Sequence, residues 1–433
     1  MFHKSIFKYL GLASMVMNLH ATDLYTVDEL LLKSLEHSPN LQISKSNYEA
    51  SQRRYDAAFA TYLPSVNLDM MAGMMGQNSI LSSSNNMVDD SLLLGKLSAE
   101  QIIYDFGKSA GKVDSSKYDS QSFLMQNIQD ISDKKRDVKE AYYNVLKAFA
   151  LINVQKENLK LNEAQLYRSQ RYFEAGIRTK IDVSDAKVTL IQSKIDLKRA
   201  EYDLKLAYAA LDEIAGFTQI NKEYKVYSPK LDLNKLYNSI KPYAYSLQES
   251  ILYAYEHRAI LKKQDSQIKS SLAQVEASSG EYYPSLYLYA DYTKQSADKL
   301  KALIPENKWQ ATLNLNWNLY AGGASTAKDQ EKKIEINISN AKLTEFKLKI
   351  KKETTSAYLN VYKSKDSLEL SQSLVEVSAE KFDQASKRYE HGLSDYIELQ
   401  QARQGYIDAK ATLIVDYYTY YIAIAYLDNA VGR

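Results

Sequence analysis

A mainly α-helical chain with a small amount of membrane β-structure, built twice over from one unit, is the fold class this sequence predicts. Three observations carry it: long stretches without helix breakers, strict two-residue alternation in short segments, and an internal repeat. The chain has 433 residues but only 14 Gly and 6 Pro, well under the roughly 7% and 5% of an ordinary globular chain. No Gly or Pro occurs from Lys112 to Ala175, from Ile177 to Ala215 or from Ala324 to His391, so each segment is free to run as one helix. A helix of roughly 65 residues is about 100 Å long, beyond the width of a compact domain.

Residues 1–21 read as a secretory signal peptide. Lys4 and Lys8 precede a mostly apolar run from Tyr9 to Met17, and cleavage is expected near Ala21. Elsewhere no run of about 18 apolar residues occurs, and mean hydropathy is -0.42. The expectation is an exported chain without a helical anchor, placed in the periplasm, outside, or in the outer membrane as a β-barrel.

The repeat divides the rest. Leu35-Glu36-His37 matches Tyr255-Glu256-His257, and Tyr62-Leu63-Pro64-Ser65 matches Tyr282-Tyr283-Pro284-Ser285, at one constant spacing. At a slightly shorter spacing Tyr104 meets Tyr320, Gly176 meets Gly392, and Leu211-Asp212 with Gly216 meets Leu427-Asp428 with Gly432. The first unit is residues 22–216, the second 247–433, and residues 217–246, with Pro229 and Pro242, form the linker.

Each unit reads helix, hairpin, long helix, turn, helix. A short helix from about Val27 to Glu36 stops at Ser38-Pro39, where Pro opens the next helix, which runs to about Tyr62. A hairpin is expected over about 64–106, a long helix over about 109–174, a tip turn over 175–180 and a helix over 181–215. In the second unit these fall at about 284–320, about 324–390, 391–396 and 397–431. Within the hairpins Val66, Leu68, Met70, Ala72 and Met74 alternate with Asn67, Asp69, Met71 and Gly73; Trp309 to Leu319 alternate without exception. A barrel strand in a membrane needs about 9 to 11 residues with one apolar face, and aromatic girdles at the interfaces. Trp309 and Trp317 are placed for such a girdle, although a soluble strand with one wet face has the same pattern. The helices carry heptads: Val138, Val145, Ile152, Leu159 and Leu166, then Val183, Leu190 and Leu197; in the second unit Val361, Leu368 and Val375, then Leu399, Tyr406 and Leu413. Such a period implies left-handed supercoiling of adjacent helices. The two shorter helices of a unit nearly sum to its long one, so they are expected to pair along it end to end.

Composition excludes other functions. Lys+Arg number 55 against Asp+Glu 53, a balance that attracts no nucleic acid. With no Cys there is no disulfide or thiolate site. His37, His257 and His391 are far apart in sequence, and no nucleophile constellation or phosphate loop appears. No enzymatic activity, cofactor or metal site is expected. His37 and His257, as repeat equivalents at the helix break, are expected to serve the fold, and Tyr417-Tyr418-Thr419-Tyr420-Tyr421 to pack between helices.

Taken together, the duplicated unit, Leu63-Pro64-Ser65, Tyr104-Asp105-Phe106-Gly107 and the run from Arg171 to Ala186 resemble the TolC family of outer-membrane efflux proteins over essentially the whole mature chain. The resemblance implies a homotrimer in the outer membrane, each chain giving four strands to one 12-stranded barrel and its helices to a periplasmic coiled-coil tunnel. It implies an exit duct of a tripartite efflux or type I secretion system, coupled through a periplasmic adaptor (membrane fusion) protein to an inner-membrane pump of RND, ABC or MFS type. Gly176, Ile177 and Thr179, with Gly392, Leu393 and Ser394, match the adaptor-docking tip turns. Asp182 and Asp185 match the family's Asp-x-x-Asp pattern at the gated aperture, with Glu398 and Arg178 as further candidates. The second copy departs from that pattern, having Glu398 and Gln401, and carboxylates in a first helical turn also favour the positive dipole end without any gating role. The competing function is a non-channel periplasmic coiled-coil scaffold.

Overall fold

The computed structural model describes residues 23–78, 87–217, 224–297 and 306–433. The expected signal peptide and parts of the hairpin loops and linker lie outside them. The first unit contains β1 (Asp23–Tyr25), α1 (Val27–His37), α2 (Pro39–Phe59), β2 (Ser65–Asn78), β3 (Met87–Tyr104), α3 (Lys108–Glu174) and α4 (Lys180–Ala215). The linker supplies β4 (Tyr224–Val226) and α5 (Leu236–Ser239), and the second unit α6 (Leu247–His257), α7 (Ala259–Ser279), β5 (Ser285–Ala297), β6 (Asn307–Asn316), α8 (Ala324–Glu390) and α9 (Tyr396–Val431). Both long helices have 67 residues, about 100 Å each.

The short helices stack end to end as their lengths require. α2 and α4 run along one side of α3, α7 and α9 along the other, and α8 packs on α7 and α9. Where α4 meets the α1–α2 break, Gly216 turns with φ +74 and a Cβ there would sit 2.7 Å from the His37 carbonyl oxygen. Gly432, with φ +87, turns against the α6–α7 break in the same way but less tightly, a Cβ there lying 3.2 Å from the Arg258 nitrogen. The breaks are held locally: His37 Nδ1 and His257 Nδ1 each lie 3.0 Å from the carbonyl oxygen four residues back.

A second layer covers the middle of the helices. β1 pairs in parallel with β4, and Tyr25, Leu30 and Val226 bury against Val138, Tyr142 and Val145 of α3. The tyrosine-rich stretch of α9 is part of this packing: Tyr418 and Tyr420 are buried, and the Tyr420 hydroxyl donates to the Lys241 carbonyl at 2.6 Å. The described part of the linker, residues 224–246, is thus folded structure rather than a plain connection.

Two sequence expectations shift. The second alternating segment reaches Leu319 in sequence, yet β6 ends at Asn316, and Trp317 instead donates its indole N–H to the Tyr282 carbonyl at 3.1 Å. In α3 the heptad residues Val138, Val145 and Ile152 are buried, but further along the buried positions are Asn158, Asn162, Gln165 and Ser169 while Leu159 and Leu166 are half-buried. There α3 lies between α4 and α9, and a helix flanked on both sides has two seams rather than one.

Candidate functional site

Two ends of the molecule carry the candidate residues. At one end the strands form a single antiparallel sheet in the order β2-β3-β5-β6. One register row reads Leu68, Leu97, Tyr292 and Trp309, and the adjacent row Asn67, Ser98, Asp291 and Gln310. The two faces are therefore chemically opposite. On the apolar face Leu68, Leu97, Tyr292 and Trp309 are all exposed in the single chain, which suits contact with hydrocarbon. On the polar face the buried Asp291 accepts from Gln310 Nε2 at 2.6 Å and from Thr293 Oγ1 at 3.2 Å.

Trp309 lies near one end of β6, and Trp317 just past the other. Beside Trp317 stands a larger set of exposed aromatics that sequence reasoning left unassigned: Tyr62, Tyr104, Phe106 and Tyr283. Phe106 stacks on Tyr283 at 5.0 Å. Phe106 has φ +52, and its repeat equivalent Gly322 has φ +64. The Asp105 carboxylate holds that joint by accepting from the Ser109 N–H at 2.8 Å. The repeated Tyr before Leu63-Pro64 and Tyr283-Pro284 was the signal available for this band.

At the opposite end each long helix closes in the same way. Gly176 has φ +72 and Gly392 φ +74. Ile177 N–H donates to the Tyr172 carbonyl at 2.9 Å, and Leu393 N–H to the Arg388 carbonyl at 2.8 Å. This left-handed glycine cap satisfies the last carbonyls of each helix. It leaves Ile177 66% and Leu393 69% exposed at the tip, and a Cβ added at either glycine meets nothing within 4 Å.

The predicted charged residues separate into distinct tasks. Thr179 and Asp182 form a capping box: the Thr179 N–H and hydroxyl donate to Asp182 Oδ2 at 3.1 and 3.3 Å. Asp182 is therefore occupied in starting α4. Asp185 is half-buried, and its carboxylate has no partner among the described residues. Arg178 does not pair with either aspartate. Its Nη2 donates to the Ser394 carbonyl at 3.0 Å and the Tyr389 carbonyl at 3.4 Å, with the guanidinium 4.8 Å from the Tyr389 ring centroid. A residue of the first turn thus clamps the second. Glu398 lies 3.5 Å from Arg388 Nε, and its N–H donates to the Asp395 cap at 2.9 Å.

Beneath the turns is a small core of Ala186, Tyr389, Tyr396 and Leu399. Tyr396 OH donates to Thr189 Oγ1 at 3.2 Å, joining α9 to α4. Burial pushes the Tyr389 phenol up from its ordinary value. The repeats are unequal here: Tyr389 is 0% exposed, while Phe173, at the matching position, is 45% exposed. Among the described residues no group of three or more His, Asp or Glu is placed to hold a metal ion, and no helix is long and apolar enough to cross a membrane.

The arrangement is matched by known proteins. The family model "outer membrane efflux protein" matches residues 30–217 and 253–433. The fold is similar to the Campylobacter jejuni CmeC outer membrane channel (14% identity, TM-score 0.82, covering 94% of this chain and 85% of that one). It is similar to the outer membrane protein VceC of Vibrio cholerae (15% identity, TM-score 0.79, 94% and 96% covered). It is also similar to the open state of the Neisseria gonorrhoeae MtrE outer membrane channel (17% identity, TM-score 0.78, 94% and 88% covered). A search of curated protein sequences finds no match.

Proposed function

This chain belongs to the outer membrane efflux protein family, and from that premise we propose that it is the passive exit duct of a tripartite efflux or type I secretion system. It is an outer-membrane protein with a TolC-like fold whose helical part lies in the periplasm. The observation that carries the duct reading is the two-faced sheet with two open edges, β2 and β6. Four strands cannot close a barrel, and unpaired strand edges are not tolerated in hydrocarbon. Three copies close twelve strands, with the polar row inside and the Trp309 and Trp317 bands at the interfaces.

The helices support the same assembly. On α4, Ile181, Val188, Ile195 and Tyr202 recur every seven residues and are all exposed in the single chain. On α8, Leu348, Leu359, Leu370 and Val377 are exposed in the same way. Among the described residues nothing covers these flanks, and mutual burial between copies satisfies both. The tip turns, with Ile177 and Leu393 at their apex beside Gly176, Thr179, Gly392 and Ser394, serve as the docking surface for a periplasmic adaptor protein, which links the duct to an inner-membrane pump. Asp185, whose carboxylate has no partner among the described residues, supplies the acidic ring of the aperture about the threefold axis; Asp182 and Glu398 stand behind it, and Arg178 holds the closed arrangement. The duct does no catalysis, and the pump supplies the energy.

Detergent-purified protein is expected to have the mass of a trimer by light scattering and to conduct ions in planar bilayers once the tip is loosened. A monomer that leaves the membrane in a carbonate wash would overturn the reading in favour of the periplasmic scaffold.

A further inference from the structure

Among the described residues three cationic side chains are buried: Arg258, Arg403 and Lys410. Two of them are compensated. Arg258 Nη2 lies 3.3 Å from Glu353, and its Nη1 donates to the Ala430 carbonyl at 3.0 Å. Lys410 Nζ lies 2.5 Å from Glu157. Arg403 is the most enclosed of the three, at 3% exposure, and among the described residues it has no hydrogen-bond or ion-pair partner. Lys187, its repeat equivalent on α4, is exposed, so the buried charge belongs to the second unit alone.

The place of Arg403 follows from the antiparallel packing of α9 on α3. With Ile407, Lys410 and Ile414 it forms the stripe of α9, spaced three and four residues apart, that faces α3. Lys410 meets Glu157, and seven residues make about 10.5 Å of helix, so Arg403 comes level with the stretch from Asn162 to Gln165. The seam is polar there: Asn162 Nδ2 donates to Asn158 Oδ1 at 3.1 Å, and Gln165 Nε2 to Ser169 Oγ at 3.3 Å. All four side chains are buried. Each amide nitrogen has a second hydrogen beyond the bond named, but neutral amides carry no charge to set against a guanidinium. An uncompensated charge in such a place is strongly unfavourable, and a guanidinium does not relieve the penalty by losing its proton.

We infer that Arg403 holds a halide-sized anion, chloride under physiological conditions, in the seam between α3 and α9. The guanidinium N–H groups bind it from α9, and the second amide hydrogens of Asn162 and Gln165 from α3. The burial of the surrounding side chains restricts the ligand to about the size of one atom and excludes phosphate, sulfate or an organic carboxylate. A bridging water would satisfy Asn162 Oδ1, which also has no partner among the described residues, but would leave the charge as it is. The site is enclosed within one chain and does not depend on the duct reading above. Its effect is to fasten α9 to α3 two turns from the tyrosine core of the tip.

The test is thermal unfolding of the detergent-purified protein in sodium chloride and in sodium gluconate at one ionic strength. The melting temperature is expected to fall by about 2 to 4 °C in gluconate. Arg403→Met should abolish that difference, since an apolar side chain has no charge to balance. Lys187→Met, at the exposed repeat equivalent, should keep it. Equal melting of the wild type in the two salts, or a chloride effect that survives in Arg403→Met, would overturn the inference. Crystals of the wild type grown in sodium bromide give a reading that needs no variant. An anomalous peak within about 3.5 Å of Arg403 Nη2 is expected; water alone at that place would overturn the inference as well.

Discussion

The two ends of α4 and α9 use one device for opposite purposes. At the tip and at the middle junction alike, a helix stops on a left-handed glycine with φ between +72 and +87. At the junction the space beside Gly216 and Gly432 is filled by the backbone of the neighbouring helix break, whereas beside Gly176 and Gly392 it is empty. The backbone chemistry is the same, but the surroundings make one place an anchor and leave the other as an exposed, separable contact. What holds the tip is Arg178 onto the second turn and the Arg168–Glu390 ion pair at 2.6 Å between the two long helices, with the tyrosine core beside them.

The strongest way to break this contrast is Gly216→Ala. It adds a positive-φ penalty to a Cβ 2.7 Å from the His37 carbonyl oxygen, and should cost about 2 to 4 kcal/mol, read as a lower melting temperature and a poor trimer yield. Arg178→Ala comes next: losing its bonds to the carbonyls of Ser394 and Tyr389 should weaken the tip by about 1 to 2 kcal/mol. The expected result is a severalfold rise in bilayer conductance with little change in trimer mass; unchanged conductance would remove Arg178 from the gate. Gly176→Ala or Gly392→Ala meets no neighbour and should cost only about 1 kcal/mol, so a loss as large as that of Gly216→Ala would erase the distinction between the ends. The smallest effects separate the two aspartates. Asp182→Asn should lower stability by about 0.5 kcal/mol through its cap, while Asp185→Asn should leave stability unchanged and weaken block of the channel by multivalent cations.

Much of the frame was legible because its signals are local. Breaker-free stretches place α3 and α8, glycines place their ends, and period-two alternation places the strands. What was hidden depends on partners. The heptads of α3 announce a seam but not that α7 and α9 of the other unit press on its second side, so the burial of Asn158, Asn162 and Gln165 had no local sign. β1 and β4 are three residues each, too short for any period. The tip residues gather at the two turns, yet their contacts run across the repeats: only the fold puts Arg178 on Ser394 and, among the described residues, leaves the Asp185 carboxylate without a partner. Tyr396 follows the Asp395 cap directly and reads in sequence as an ordinary first helical residue, although it is almost fully buried.

The open edges of the sheet also bear on inheritance. In the trimer proposed above, β6 of each copy must meet β2 of the next, so no copy can be sealed by only one good edge. A cell that makes equal amounts of intact chain and of a chain whose β6 edge is disrupted would assemble about one fully intact trimer in eight. Damage to an edge strand should therefore behave as a dominant defect, whereas loss of the whole chain from one of two gene copies would merely halve the number of ducts.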